Sequence, residues 1–167
     1  MTPRTKGLIL AVLHAAIVIS VGAKLLYDRA TQPRVWVETI PVDPDLPIRG
    51  RYIRLQLMVT APAISSHEAR RVKLRVENHR LIAEPDAAPS ALSELHVVWR
   101  TRPGGEAVAI LSPPVAFFLP EHARDASVRA HGEELWVEVS VPKKGAPRPI
   151  RLGVKKGDAP ITPLDVG

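Results

Sequence analysis

Few residues in this 167-residue chain could do chemistry, and their spacing argues against a reaction centre. Asp43 and Asp45 lie in a proline-rich stretch with Glu38 close by. A calcium ion needs six or more oxygen ligands in a defined order, and no EF-hand spacing or suitably offset glycine accompanies these carboxylates. Aspartate before proline initiates turns, which accounts for Asp43-Pro44 without a metal. Glu121, His122 and Asp125 form a second cluster with acid–base potential. Acidic residues opening a short helix after Pro120 complement the helix dipole, which explains them without chemistry. The six histidines are dispersed, no two stand four residues apart, and His-Glu-x-x-His does not occur. A serine–lysine hydrolase needs a serine just beyond a membrane span, and between Lys24 and Ile64 there is none, only Thr31, Thr39 and Thr60. The chain has no cysteine, so disulfides, thiolate zinc sites and thiol nucleophiles are excluded. Nor is there a glycine-rich phosphate loop or a haem motif. The expectation is no catalytic, cofactor-binding or metal-ligating residue.

The elements that carry these residues read as strands. The chain has 17 prolines, about twice the usual ~5% share, and each would cost a helix interior ~3 kcal/mol. A helical bundle is therefore excluded. Beyond Gln32 the period is two. Val35–Ile40 is β-branched and strand-like, and Pro41–Gly50 is a loop. Ile53, Leu55, Leu57 and Val59 then face one side, with Tyr52, Arg54 and Gln56 on the other. Val72, Leu74 and Val76 repeat the pattern, and a turn at Glu77–Arg80 leads to Leu81–Ala83. Two hairpins follow, Leu95–Trp99 with Ala107–Leu111 and Leu135–Val141 with Ile150–Val154. Glu121–Ala130 reads as a short helix between them. Six to eight short strands with proline-rich connections predict a mainly β domain, an antiparallel sandwich or partly open barrel. The row Arg49, Arg51, Arg54, Arg70, Arg71, Lys73, Arg75 and Arg80 is expected to be a solvated face, with contact to anionic lipid or a partner as the sharper alternative.

This domain follows an apolar segment, Gly7 to Tyr27, preceded by Arg4 and Lys6. At 1.5 Å per residue the segment spans ~31 Å, enough for a bilayer core of ~30 Å. Lys24 sits near one end, where it can snorkel, and Tyr27 suits the interfacial belt. The reading is an uncleaved anchor with the amino end inside and the remainder outside. Val21-Gly22-Ala23 leaves a cleaved signal peptide as the alternative. The expected layout is residues 1–6 as a basic start, 7–27 as the span, 28–34 as a spacer, 35–158 as the β domain and 159–167 as a tail. Of the 23 basic and 17 acidic residues, Arg4, Lys6, Lys24, Arg29 and Asp28 fall within residues 1–31, which leaves 19 and 16. The domain is thus nearly neutral, and nucleic acid is not an expected partner.

At Pro41–Leu57 the sequence resembles the GDYXXLXY-type bacterial proteins. Pro41-Val42-Asp43-Pro44-Asp45-Leu46 is similar to that family's turn, and Gly50, Tyr52 and Leu55 fill motif positions. Arg51 replaces the family aspartate and Leu57 the final tyrosine, so any chemistry of that aspartate is lost here. Phe117-Phe118-Leu119-Pro120-Glu121 is similar to the family's Tyr-Phe-Val-Pro-Glu stretch, with His122 in place of glycine. The resemblance implies an N-terminal span, a β-rich remainder, an unassigned function and gene neighbours that encode multi-spanning membrane proteins. Asp43, Pro44, Gly50, Tyr52, Leu55, Pro120 and Glu121 become the motif positions of interest, in a structural or partner-binding role.

The functional expectation is a single-pass inner-membrane protein presenting a non-catalytic periplasmic β-domain to a multi-spanning membrane or envelope partner. The alternative is an envelope enzyme or small-ligand binder with a groove around Tyr52 and Asp43. The row Ile53–Val59 is expected to be buried, with Arg51 escaping to solvent beside the glycine turn.

Overall fold

The computed structural model describes residues 3–42, 51–65, 70–87, 94–102, 105–120, 130 and 132–166. The chain divides into two compact units, Met1–Gln32 and Pro33–Gly167. The first is helix α1 (Pro3–Thr31), which carries the apolar segment and continues about a turn beyond it at each end. Its few polar side chains satisfy themselves locally. Ser20 Oγ donates to the Ile17 carbonyl at 2.8 Å, Thr31 Oγ1 to that of Tyr27 at 2.8 Å, and His14 Nδ1 lies 2.8 Å from the Leu10 carbonyl. An apolar surrounding therefore meets few unpaired groups. Arg4–Asp28 is long and apolar enough to cross a membrane.

The second unit is mainly β, as the period of two predicts. Its strands are β1 (Arg34–Val42), β2 (Arg51–Val59), β3 (Arg70–Glu77), β4 (Arg80–Pro85), β5 (His96–Thr101), β6 (Ala107–Ser112), β7 (Val115–Leu119), β8 (Glu133–Ser140), β9 (Arg148–Lys156) and β10 (Thr162–Pro163). One antiparallel sheet runs β10-β9-β8-β1-β2-β6-β5-β3-β4, with β7 also paired to β2. The sheet curls until its far end returns to the middle. Thr60, just past β2, accepts from Ala83 N at 2.9 Å and donates to the Leu81 carbonyl at 3.0 Å. This bridge brings β4 back beside the end of β2, while the antiparallel sheet of the mainly β domain stays open.

The core lies on the concave side. Ile53, Leu55, Leu57 and Val59 are all buried, with Leu55 0% and Leu57 1% exposed. They meet Val35 and Val37 of β1, Val115 and Phe117 of β7, and Val137 and Val139 of β8 in one apolar cluster. Each such side chain contributes about 1.5–3 kcal/mol by leaving water. Thr39 joins the buried set because its hydroxyl donates to the Leu135 carbonyl at 3.2 Å. Leucine at position 57 fits the same setting, since it needs no hydrogen-bond partner where a tyrosine would.

The sheet departs from the sequence reading in three places. Strands β7 and β10 were not expected. Glu138 and Ser140, which alternate along β8 with the core-facing Val137, Val139 and Val141, are also buried, 9% and 4% exposed, Glu138 against Trp36 of β1 and Arg151 of β9. The register of β2 also shifts by two residues along its neighbour. Val59 faces Ala109 while Leu55 faces Val115, so β6 and β7 are one long run with two extra residues inserted at Ser112-Pro113-Pro114. Proline has no donor for a ladder and is at home in such a break. The predicted helix at Glu121–Ala130 lies almost wholly outside the described residues.

Candidate functional site

The two stretches that resemble family motifs, some sixty residues apart in sequence, are hydrogen-bonded neighbours. Strand β2 pairs with β7 so that Arg51 faces Leu119, Tyr52 faces Phe118 and Leu55 faces Val115. Alternation sends Val115, Phe117 and Leu119 inward and Ala116 and Phe118 outward. Tyr52 and Phe118 meet on the outer face, ring centroids 6.1 Å apart and tilted by 43°. Phe118 is 76% exposed, and Pro120 follows directly after β7. Leu55 has a different role as a fully buried core residue. Asp43, Pro44, Gly50 and Glu121 lie outside the described residues, as do Asp45, His122, Asp125 and the Arg51 side chain.

The expected basic face is mixed in charge. On β3 and β4, Arg75 pairs with Glu77 at 3.0 Å and with Glu84 at 2.9 Å, and Lys73 lies 3.8 Å from Glu84. Exposed pairs of this kind are worth at most ~1 kcal/mol each, and their carboxylates offset part of the positive field such a face could offer an anionic surface. Among the described residues no three His, Asp or Glu side chains group closely enough to hold a metal ion.

A second site was not singled out from the sequence. Trp36-Val37-Glu38 in β1 and Trp136-Val137-Glu138 in β8 are the same tripeptide, and the strands pair it with itself. Trp36 faces Glu138, Val37 faces Val137, and Glu38 faces Trp136. The valines enter the core while both tryptophans and both glutamates share the outer face. Each Trp–Glu pair has its own cations. Arg151 lies over the Trp36 ring at 5.3 Å and bonds Glu138 at 2.6 Å. In the other pair Lys155 lies over Trp136 at 5.4 Å, while Arg102 holds Glu38. The second occurrence of Trp-Val-Glu was the signal available in the sequence, since antiparallel pairing of a W-x-E tripeptide with itself sets each ring against a carboxylate.

Packing fixes the Trp36 indole. A Cβ on Gly153 would come within 2.8 Å of the Trp36 ring and 2.8 Å of Ile161 Cγ2. Only glycine lets the indole lie this close to β9. Beyond the two rings is a cleft of about 520 Å³, whose walls include Trp36, Glu38, Trp136, Thr60, Asn78 and His79. The last two form the tip of the β3–β4 hairpin, with φ of 49° and 57°. Two positive φ angles in a two-residue loop make a type I′ turn, for which Asn-Gly is the favoured pair. Histidine in the second place is strained, and such strain collects at binding and active sites.

Arg102 approaches the cleft from the end of β5, with its guanidinium on Glu38 and 3.0 Å from Met58 Sδ. Burial raises the pKa of Glu38 above its ordinary 4.5, and Arg102 is the largest opposing influence. Tyr52 and Met58 lie on the same face of β2, six residues apart, so the aromatic pair and this cleft are separated by ~20 Å. The groove expected around Tyr52 and Asp43 is thus a different place from the cleft built on Glu38.

A family model described as GDYXXLXY protein matches residues 14–152. No curated protein and no solved structure matches the chain. The match takes in α1 from His14 onward, both motif strands and both Trp-Val-Glu segments, and the chain belongs to the GDYXXLXY protein family.

Proposed function

We propose that this is a single-pass inner-membrane protein, held by α1 with its amino end inside, whose β-domain lies in the periplasm as a non-catalytic interaction module for a multi-spanning membrane partner. The observation that carries this reading is Phe118. Among the described residues it is the one exposed large hydrophobic side chain outside α1. Aromatic side chains are enriched at contact surfaces, where a few of them act as anchors. It stands on the strand pair where the two motif stretches meet, with the Tyr52 ring beside it on the same face.

The test is co-isolation of the full chain in a mild detergent, beside the Phe118→Ser variant. The wild type brings down a discrete multi-spanning protein, and the variant loses it while keeping its melting temperature. Equal recovery with both chains, or none with either, contradicts the reading. Orientation is checked separately with a carboxy-terminal reporter that is active only outside the cytoplasm. Activity in the cytoplasm overturns the periplasmic assignment.

A further inference from the structure

The cleft between the two Trp-Val-Glu segments and the strained hairpin tip has the size and chemistry of a ligand site. Its volume of about 520 Å³ falls within the usual ~300–1,000 Å³ for small-molecule pockets. Both tryptophans are half-buried, so part of each ring remains accessible. Asn78, His79 and Thr60 line the same cleft. The lining thus joins two indole rings to the hydrogen-bonding groups of Glu38, Thr60, Asn78 and His79.

The charges narrow the class of guest. A cation would seek the ring faces, but Arg151 and Lys155, each over one face of its indole at 5.3 and 5.4 Å from the centroid, repel a second positive charge. Arg80, also in the lining, adds further positive charge against it. An anion would face Glu38, which already engages Arg102. A neutral guest avoids both conflicts. It needs apolar C–H faces to lie on indole and hydroxyls that both donate and accept, because the walls offer a carboxyl, an amide, an imidazole and a hydroxyl. A pyranose ring has that combination. We propose that the cleft binds the pyranose rings of a neutral oligosaccharide, one ring stacked on Trp136 and its hydroxyls met by Glu38, Asn78 and His79. The strain at His79 fits this role, because the left-handed turn presents the imidazole that a glycine would not supply.

The proposal does not rest on the membrane-partner reading. The test uses the full chain in lauryldimethylamine oxide, a detergent without a sugar headgroup, titrated with maltotriose, mannotriose, β-1,4-galactotriose or triacetylchitotriose. Binding is read by tryptophan fluorescence and by heat. At least one trisaccharide is expected to bind with Kd of about 0.1–1 mM, and Trp136→Ala to weaken it by about tenfold or more. His79→Gly suits the positive φ and keeps the fold, so its melting temperature holds or rises while affinity falls about threefold or more. The proposal is overturned if the folded wild type binds none of them up to about 10 mM. It is also overturned if His79→Gly binds as the wild type does, or if tetramethylammonium or inorganic phosphate binds in place of the sugars.

Discussion

Gly153 shows how one residue type can fix a surface. The Trp36 indole and Ile161 crowd the space a Cβ would fill, and neither can withdraw without repacking. Gly153→Ala should therefore lower stability by about 1–3 kcal/mol, the usual cost of overpacking, and shift Trp36 emission. A melting curve and emission spectrum like those of the wild type would show that the indole is not held there. Glu38 gives a second residue-scale prediction, with a defined sign. Its pKa is raised in the folded protein, so its contribution to stability is fully present below 4.5 and is lost as pH rises through the raised value. Arg102→Met removes the chief opposing influence, moves the titration of Glu38 higher and extends that loss upward in pH. Carboxyl-carbon NMR of Glu38 in both proteins checks this, and an unmoved titration would separate Glu38 from Arg102. Neither contact stood out in the sequence. Gly153 looks like any strand glycine until Trp36, 117 positions earlier, is laid across it. Arg102 sits in a Pro-Gly loop that says nothing of the carboxylate it reaches.

At the scale of elements, alternation carried most of the reading. The burial of Ile53, Leu55, Leu57 and Val59 followed from spacing alone, because a half-buried strand has one apolar face. Leu55→Ala should cost about 2–5 kcal/mol in a thermal melt, as removal of a fully buried leucine does. Strand β7 was illegible for a physical reason. Five residues, VAFFL, set between Pro114 and Pro120 are too short and too uniformly apolar to show a period. Its facing comes from β2, which no local pattern reveals. Phe117→Ala should thus cost about 3–5 kcal/mol, and Phe118→Ser no more than about 0.5 kcal/mol. Similar losses from the two changes would mean that β7 is out of register by one residue. Sheet order was equally hidden. Strand β1 lies between β8 and β2, so half of its ladder comes from residues a hundred positions away, and Glu138 is covered by Trp36 of β1 and Arg151 of β9 through that arrangement.

The whole molecule joins an apolar helix to a nearly neutral β-domain. Its plan was legible, because a long uncharged segment and a period of two are the strongest patterns a sequence carries. What the domain does was less legible, since its outer-face residues meet only through the sheet. Tyr52 and Phe118 come together through β2–β7 pairing, and the Trp-Val-Glu segments through β1–β8 pairing. The central claim is that the Tyr52–Phe118 face contacts a membrane partner. Site-specific photo-crosslinking in intact cells tests it most directly, with benzoylphenylalanine in place of Phe118 and, as a control, in place of Lys73, whose side chain is 63% exposed on β3. The account predicts one discrete adduct with a multi-spanning membrane protein from position 118 and none from position 73. No adduct at 118, or the same adducts from both positions, would contradict it.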